Sequence, residues 1–373
     1  MPWRTSKVED QRVQFVASMS RREKNLKSLC AEFEISRPTG YRWWKRYQLS
    51  GISGLQDRSR RPLRSPGQTA EAVEQQVVAM RKHRPDWGAR KMQVLLRSQG
   101  VELPIGTIHR ILVRKELIRE RDQKRPATQR FERPDPNTLW QMDFKGPKGW
   151  HQPVGPLSVL DDCSRYALAL QATGTTSEAA VREVLQAVFE QCGVPEQMLM
   201  DHGCPWWNDQ GIRGWTRLAV WLMKQNIRLY FSGYNHPQTQ GKVEHFHRSL
   251  TAALLRRGTP PDQQRQSWLD AFRHEHNHLR PHQALGMKTP DQIWHKSTRP
   301  FEKNPQPWNY PQGYETAQIQ LCGQAKIDGR RYWISGALAG EQVGLLAVDS
   351  RVLVYYRQTL IRELDLGQQP VSP

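Results

Sequence analysis

Hydrophobic and polar positions change rhythm along the 373-residue chain. Through residue 120 the period is helical. In "LKSLCAEFEIS" the apolar residues Leu26, Leu29, Cys30 and Phe33 share a face. Ile35 then closes a short turn. Ser36 is placed to cap the next helix, with Pro38 in its first turn. "RPTGYRWWKRYQLSG" repeats Tyr41, Trp44 and Tyr47 on one side and leaves Arg37, Thr39, Arg42, Lys45 and Arg46 for the other. A second set of helices follows. Thr69 is placed to cap one that carries Val73, Val77 and Met80. "WGARKMQVLLRSQG" gives another, ended by Gly100, and "LPIGTIHRILVRKELI" a third with Ile105, Ile108, Ile111 and Leu112 inward. Thr107 and Arg110 take outward places on that third helix.

After residue 137 strands and helices alternate. "TLWQMDFKGP" sets Trp140, Met142 and Phe144 on one face and Gln141, Asp143 and Lys145 on the other. "GPLSVLDDCSRYALALQATG" reads as two strands around a turn at Asp161, Asp162, Cys163 and Ser164. "TSEAAVREVLQAVFEQCG" predicts a helix with Ala180, Val184, Leu185 and Val188 inward. "PEQMLMDHG" predicts a short buried strand ending in Asp201. A helix, the strand "IRLYFS" and the helix "GKVEHFHRSL" complete the series. From 314 to 366 the period falls to two, in "YETAQIQL", "KIDGRRYWIS", "EQVGLLAVDS" and "RVLVYYRQ", with a hairpin signal at Asp328-Gly329. Several short strands in such a stretch predict a small barrel.

These patterns divide the chain into a helix-turn-helix domain at 1–54, a basic linker at 55–68 and a second helix-turn-helix domain at 69–120. A polar linker at 121–136, a sheet-and-helix core at 137–298, a Pro- and Asn-rich linker at 299–313 and the barrel at 314–366 follow. The fold class expected is multidomain, α and α/β.

Charge sharpens the reading of the front third. Residues 1–134 hold 30 Lys/Arg against 14 Asp/Glu, whereas 135–373 hold 25 against 22, within a net charge of +19. An ordinary solvated basic face would not be so lopsided, and a polyanion partner, double-stranded DNA in the simplest case, fits it. Helix-turn-helix geometry would place Arg37, Thr39, Arg42, Lys45 and Arg46 in a major groove, and Thr107 and Arg110 of the second module are expected to contact DNA as well. Arg58, Arg60, Arg61 and Arg64 of the linker "LQDRSRRPLRSPGQT" could follow a minor groove, or simply solvate a linker. The five cysteines are odd in number and far apart, without a CxxC, so neither a disulfide framework nor a structural zinc site is expected. "HEHNH" at 274–278 sets two histidines a helical turn apart but lacks a third ligand at sensible spacing. No run is long and apolar enough to span a membrane and the first residues carry no apolar signal core, so a cytoplasmic, nucleoid-associated protein is expected.

The chemistry turns on three acids: Asp143 mid-strand, Asp201 at a strand end, and Glu244 among Gln240, Lys242, His245 and Arg248 on a helix. Such carboxylates, gathered together, repel each other unless a hard divalent cation intervenes. Two Mg²⁺ ions can hold the attacking and leaving oxygens of a phosphoryl displacement. Glu244 could instead pair with Arg248 at i+4. Asp161 and Asp162 read as turn formers, and Asp209 as a loop acid.

"LWQMDF", "MDHG" and "HPQTQGKVEHFHRSL", with "LDDCSRYALAL" and "HNHLRPHQALGMKTP", resemble the signatures of bacterial insertion-sequence DDE transposases with a retroviral-integrase-like catalytic core. The resemblance covers nearly the whole chain. It implies a ribonuclease-H-like core, an SH3-like C-terminal barrel, and Asp143, Asp201 and Glu244 as catalytic metal ligands for two Mg²⁺ ions, with Mn²⁺ as substitute. It further implies binding of terminal inverted repeats, strand nicking, 3′-hydroxyl transfer into target DNA, and at least a dimer on DNA. Gln240, Lys242, His245 and Arg248 would then contact flanking phosphates. Two departures stand out: His202 occupies a place usually held by Asn, and 42 residues separate Asp201 from Glu244, a longer gap than retroviral integrases commonly have. The surplus falls in the Trp-rich "CPWWNDQGIRGWT", expected to form a flap. The alternatives are a DNA-binding regulator with a degenerate core and a metal-dependent nuclease without transfer activity.

Overall fold

The structure, a computed structural model, describes residues 8–22, 24–57, 67–118, 133–208, 214–232, 241–349 and 351–365. The chain divides into two compact units, Met1–Thr69 and Ala70–Pro373.

The first unit is a three-helix module: α1 (Val8–Ser20), α2 (Leu26–Glu32) and α3 (Arg37–Ser50). Ser36 caps α3 by accepting from the Thr39 N–H, with Pro38 beside it. The inward face of α3 is phased differently from the expected one. Gly40 and Trp43 are buried, Trp44 and Tyr47 are half-buried, and Tyr41 is exposed. Trp43 can go inward despite its basic neighbours because the Arg12 and Arg46 guanidinium groups lie over its ring, 4.0 and 4.4 Å from the centroid. Gly40 is required where α3 crosses α2: a Cβ there would meet Cys30 Sγ at 2.5 Å and the Phe15 ring at 3.1 Å.

The second unit begins with α4 (Glu71–His83), α5 (Ala89–Ser98) and α6 (Ile105–Arg114), packed around Val77, Trp87, Met92, Leu96, Ile108, Ile111 and Leu112. Ala70, not Thr69, stands at the N-cap of α4, and no side chain caps it. Ile105 is 40% exposed, because the first turn of α6 projects beyond that core. The turn between α4 and α5 is fastened to a later segment by the Asp86–Arg280 ion pair at 2.5 Å, both side chains almost fully buried.

The core sheet is built from β1 (Leu139–Phe144), β2 (Leu157–Asp161), β3 (Ala167–Gln171) and β4 (Gln197–Met200), with an outer strand at Arg228–Phe231. Its order is β3-β2-β1-β4-outer strand, antiparallel on the β3 side and parallel from β1 outward. This is the ribonuclease-H-like arrangement. One face is covered by α7 (Glu178–Cys192), through Val181, Leu185, Val188 and Phe189. Of the residues expected inward, Leu185 and Val188 are buried and Ala180 and Val184 half-buried; Val181 and Phe189 complete the buried stripe. A two-residue ladder, β5 (Trp207–Asn208) with β6 (Gly214–Trp215), leads into α8 (Arg217–Lys224) and the outer strand, β7. The other face is covered by α9 (Gly241–Arg257) and α10 (Arg265–His274), around Phe246, Leu250, Ala253, Leu254 and Leu269.

Residues 299–313, polar in composition, are pinned to the core. The Arg299 guanidinium donates to the Gln225 and Asn226 carbonyls, and Phe301 joins the α7 core. Beyond them β8 (Glu315–Gln318), β9 (Gln324–Ile327), β10 (Arg330–Trp333), β11 (Gln342–Val348), β12 (Arg351–Tyr356) and β13 (Thr359–Asp365) form a small SH3-like barrel. It combines a β13-β12-β11-β8 sheet with the β9-β10 hairpin, which turns at Asp328-Gly329 as expected. Val220 and Met223 of α8 insert into its apolar core, so barrel and core share a buried seam.

The α2–α3 crossing generates one test. Gly40→Ala should weaken the first unit by about 1–3 kcal/mol through overpacking. Hydrogen exchange should quicken in α1–α3 and stay unchanged in the sheet, and adding Cys30→Ala should restore part of the protection.

Candidate active site

Register brings the first two acids together. In the parallel pairing of β1 with β4, Leu139 lies opposite Gln197 and Gln141 opposite Leu199. Extended two residues beyond its last pair, that register sets Asp143 level with Asp201, the residue that follows β4. The third acid arrives on α9, whose first turn is clamped to the sheet. The buried Gln141 accepts from the Val243 N–H at 3.2 Å and donates to Asp162 Oδ1 at 2.7 Å. Asp162 Oδ2 meets Lys242 Nζ at 2.5 Å. One turn later His247 Nε2 is 2.9 Å from Ser158 Oγ, and its Nδ1 is 3.7 Å from Asp143 Oδ2. Glu244 stands between these anchors, exposed, and among the described residues it makes no ion pair with Arg248.

Electrostatics follow from this convergence. The Asp143 carboxyl is pushed up to about 7, first by burial and next by the Asp201 carboxylate; Glu244 adds a smaller repulsion, and the Phe144 N–H pulls the other way. His247 beside them is driven down to about 3 by burial and by Lys145, so it is a neutral imidazole that supplies no counter-charge. On the outer side of α9, His245 is lowered by burial and then by Arg248, Arg280 and Lys91, a local excess of positive potential. The donor set, three carboxylates without a cation among them, fits a hard divalent ion. Among the described residues no three such side chains already close on one point. With the first turn of α9 held by Gln141, Asp162 and Lys242, a bound ion would require the site's side chains to turn toward one another.

Asp201 is itself held. Its Oδ1 accepts from the Gly203 N–H at 3.1 Å and the Trp206 indole N–H at 2.6 Å. His202, in the position of the usual Asn, lies with Nδ1 2.5 Å from the Ser232 carbonyl, which fixes its tautomer and ties the end of β4 to the end of β7. The Trp-rich segment, expected as a flap, is packed in its described part: Trp206 is buried, Trp207 and Trp215 lie against Phe231, and the Trp215 indole donates to the Ile361 carbonyl of the barrel. Asp209 falls outside the described residues.

The remaining expected residues divide. Arg42 and Lys45 are exposed on α3, with Arg37 at its start and Thr39 half-buried. Arg46 is engaged within the module, donating to the Gln56 carbonyl at 2.6 Å. Arg110 donates to Thr107 Oγ1 at 3.2 Å on α6. Arg248 is exposed, whereas Lys242 is largely enclosed with Asp162. Arg58, Arg60, Arg61, Arg64 and Gln240 lie outside the described residues. Asp161 is a turn former, accepting from Asn137 and Ser164. His278 pairs with Asp291, while His276 is buried against the Arg165 carbonyl. Sequence reasoning missed Gln141, Asp162, Ser158, His247 and Trp206 as parts of the site. The one available signal was Gln141, a polar residue on the same strand face as Asp143.

The raised Asp143 carboxyl has a pH consequence. Folding favours its protonated form, so its contribution to stability is complete below about pH 4 and is lost as pH rises through about 7. Without metal, the stability advantage of Asp143→Asn over the wild type should grow between pH 4 and 8. Millimolar Mg²⁺ should raise the wild-type Tm at pH 8 more than at pH 5, and leave Asp143→Asn nearly unmoved, as read by thermal melts.

Residues 11–62 match the family model of a helix-turn-helix domain, and 39–112 that of a homeodomain-like domain. Residues 133–237 and 225–290 match two models described as integrase core domain. Among solved structures, the chain is similar to a simian T-cell lymphotropic virus intasome in complex with the PP2A regulatory subunit B56 gamma. The identity is 17%, over 77% of this chain and 99% of that one, with a TM-score of 0.38. The HTLV-2 integrase catalytic core domain in complex with magnesium is 15% identical over 43% of this chain and 99% of its own, at 0.34. The BIV integrase catalytic core is 19% identical over 42% and 93%, at 0.33. No described helix is long and apolar enough to cross a membrane. The helix-turn-helix matches at the front of the chain and the integrase-core matches after them together fit a DDE transposase of insertion-sequence type.

Proposed function

We propose that the protein binds the terminal inverted repeats of its transposon, nicks the ends, and joins the freed 3′-hydroxyl to target DNA. Its integrase core and helix-turn-helix domains belong to DNA integration in general. The observation that carries the finer reading is the Asp143 carboxyl, raised first by burial, then by Asp201 and to a smaller degree by Glu244, an arrangement that costs stability unless cations are bound there.

In this reading Asp143, Asp201 and Glu244 are the catalytic ligands. Bound Mg²⁺, or Mn²⁺ in its place and two ions per site, would supply Lewis acidity toward the phosphate and its leaving oxygen. The chain's own groups do the rest. Gln141, Asp162 and Lys242 hold the first turn of α9 against β1, so Glu244 can approach the paired aspartates without the helix sliding. Neutral His247, fixed by Ser158, packs against Asp143 without competing as a cation. His245 and Arg248 face the flanking phosphates, Arg248 supplying positive charge for a polyanion beside three acids and His245 a ring whose charged form its surroundings disfavour. The exposed Arg42 and Lys45 of α3 face the end sequence in a major groove. Two ends must be processed together, so the working form is an oligomer on DNA, at least a dimer.

Two measurements test this. Asp143→Asn should bind transposon ends as the wild type does but yield no nicked or joined product in Mg²⁺; retained nicking would refute the assignment, and wild-type nicking without joining would make the protein a nuclease. Arg42→Ala with Lys45→Ala should weaken end binding at least tenfold at physiological salt and lower the slope of log affinity against log salt by about 2. Equal affinity would remove α3 from the groove.

A further inference from the structure

The described part of the Trp-rich segment puts one ring against both ends of the aspartate pair. Trp206 is 2% exposed. Its indole N–H reaches Asp201 Oδ1 at 2.6 Å, while its ring stacks on Phe144, with centroids 5.5 Å apart and planes at 24°. Phe144 is the residue after Asp143. The Trp206 backbone is fastened as well: its N–H donates to the Gly203 carbonyl at 3.1 Å, and its carbonyl accepts from Thr216 Oγ1 at 3.2 Å. A buried indole needs an acceptor for its N–H, and a backbone carbonyl would serve. Here the acceptor is a carboxylate oxygen at the candidate site. That oxygen also receives the Gly203 N–H, so Oδ1 has two donors and the rotation of the carboxylate is set. Gly203 itself leaves little room on this side, because a Cβ there would lie 3.1 Å from each Asp201 oxygen.

We propose that Trp206 is a positioning residue for the catalytic metal site, orienting Asp201 through its indole N–H so that Oδ2 is presented to the cation, and bracing Asp143 through Phe144. The inference rests on the reading of Asp143, Asp201 and Glu244 as metal ligands. It deepens that reading by giving the lengthened segment between the second and third acids a task. A hydrogen bond to a ligand's non-coordinating oxygen fixes its orientation and tunes its basicity. Removing such a partner typically lowers metal affinity about 10–100-fold.

The test is Mn²⁺ affinity in the full-length protein by calorimetry, beside circular dichroism and end binding. Trp206→Phe keeps a ring to stack on Phe144 and removes the donor. It should bind Mn²⁺ about tenfold more weakly or worse, with unchanged circular dichroism and end binding. Should Phe fail to fold, 3-benzothienylalanine incorporated at 206 keeps the bicyclic shape and loses only the N–H, and the same drop is expected. Wild-type Mn²⁺ affinity in either folded variant overturns the positioning role alone, because the acids would still bind metal. A wild type that shows no Mn²⁺ binding sensitive to Asp143→Asn overturns the metal-site reading together with this inference.

Discussion

Two carboxylates at the same level of adjacent parallel strands cannot both ionise comfortably, and this constraint organises the site. The β1–β4 register sets Asp143 beside Asp201, and burial makes their repulsion expensive. A fold keeps such a pair only where another part of the structure holds it in place. The sheet does so here. β1 is paired on both edges, antiparallel with β2 and parallel with β4, so its register cannot slip without turning its faces over.

The fastening continues outward from that strand. Gln141 is the hinge-pin of the arrangement: one amide side chain ties β1 to the first turn of α9 and to Asp162, and Asp162 in turn takes Lys242. Buried ion pairs are weak evidence for stability, but a pair at a helix start fixes where that helix begins. Here it decides where Glu244 sits. The barrel is joined to the same body: α8 lends Val220 and Met223 to its core, and Trp215 reaches Ile361.

Much of this was legible in the sequence, and the illegible parts share a cause. β1, the Asp161–Ser164 turn, the strand before Asp201 and the helix holding Glu244 announce themselves through period and turn chemistry, because these are local. The phase of α3 was misread because Trp43 is buried under Arg12 and Arg46, a stacking that sequence spacing does not reveal. Lys242 read as a phosphate contact because its partner, Asp162, is 80 residues earlier in the chain. Trp206 read as part of a flap because a tryptophan-rich run shows no period. Only the folded chain brings its indole to Asp201. On α7 the period places Leu185 and Val188 inward but not Phe189, which enters the core by stacking on Trp221 of α8.

The account stands or falls on where a divalent ion binds. Crystals of the protein on transposon-end DNA, soaked in Mn²⁺ and measured at the manganese edge, should show anomalous density between Asp143 and Asp201 with Glu244 drawn in to complete the site. Density elsewhere on the molecule, or none at saturating Mn²⁺ while the DNA end is in place, would contradict it.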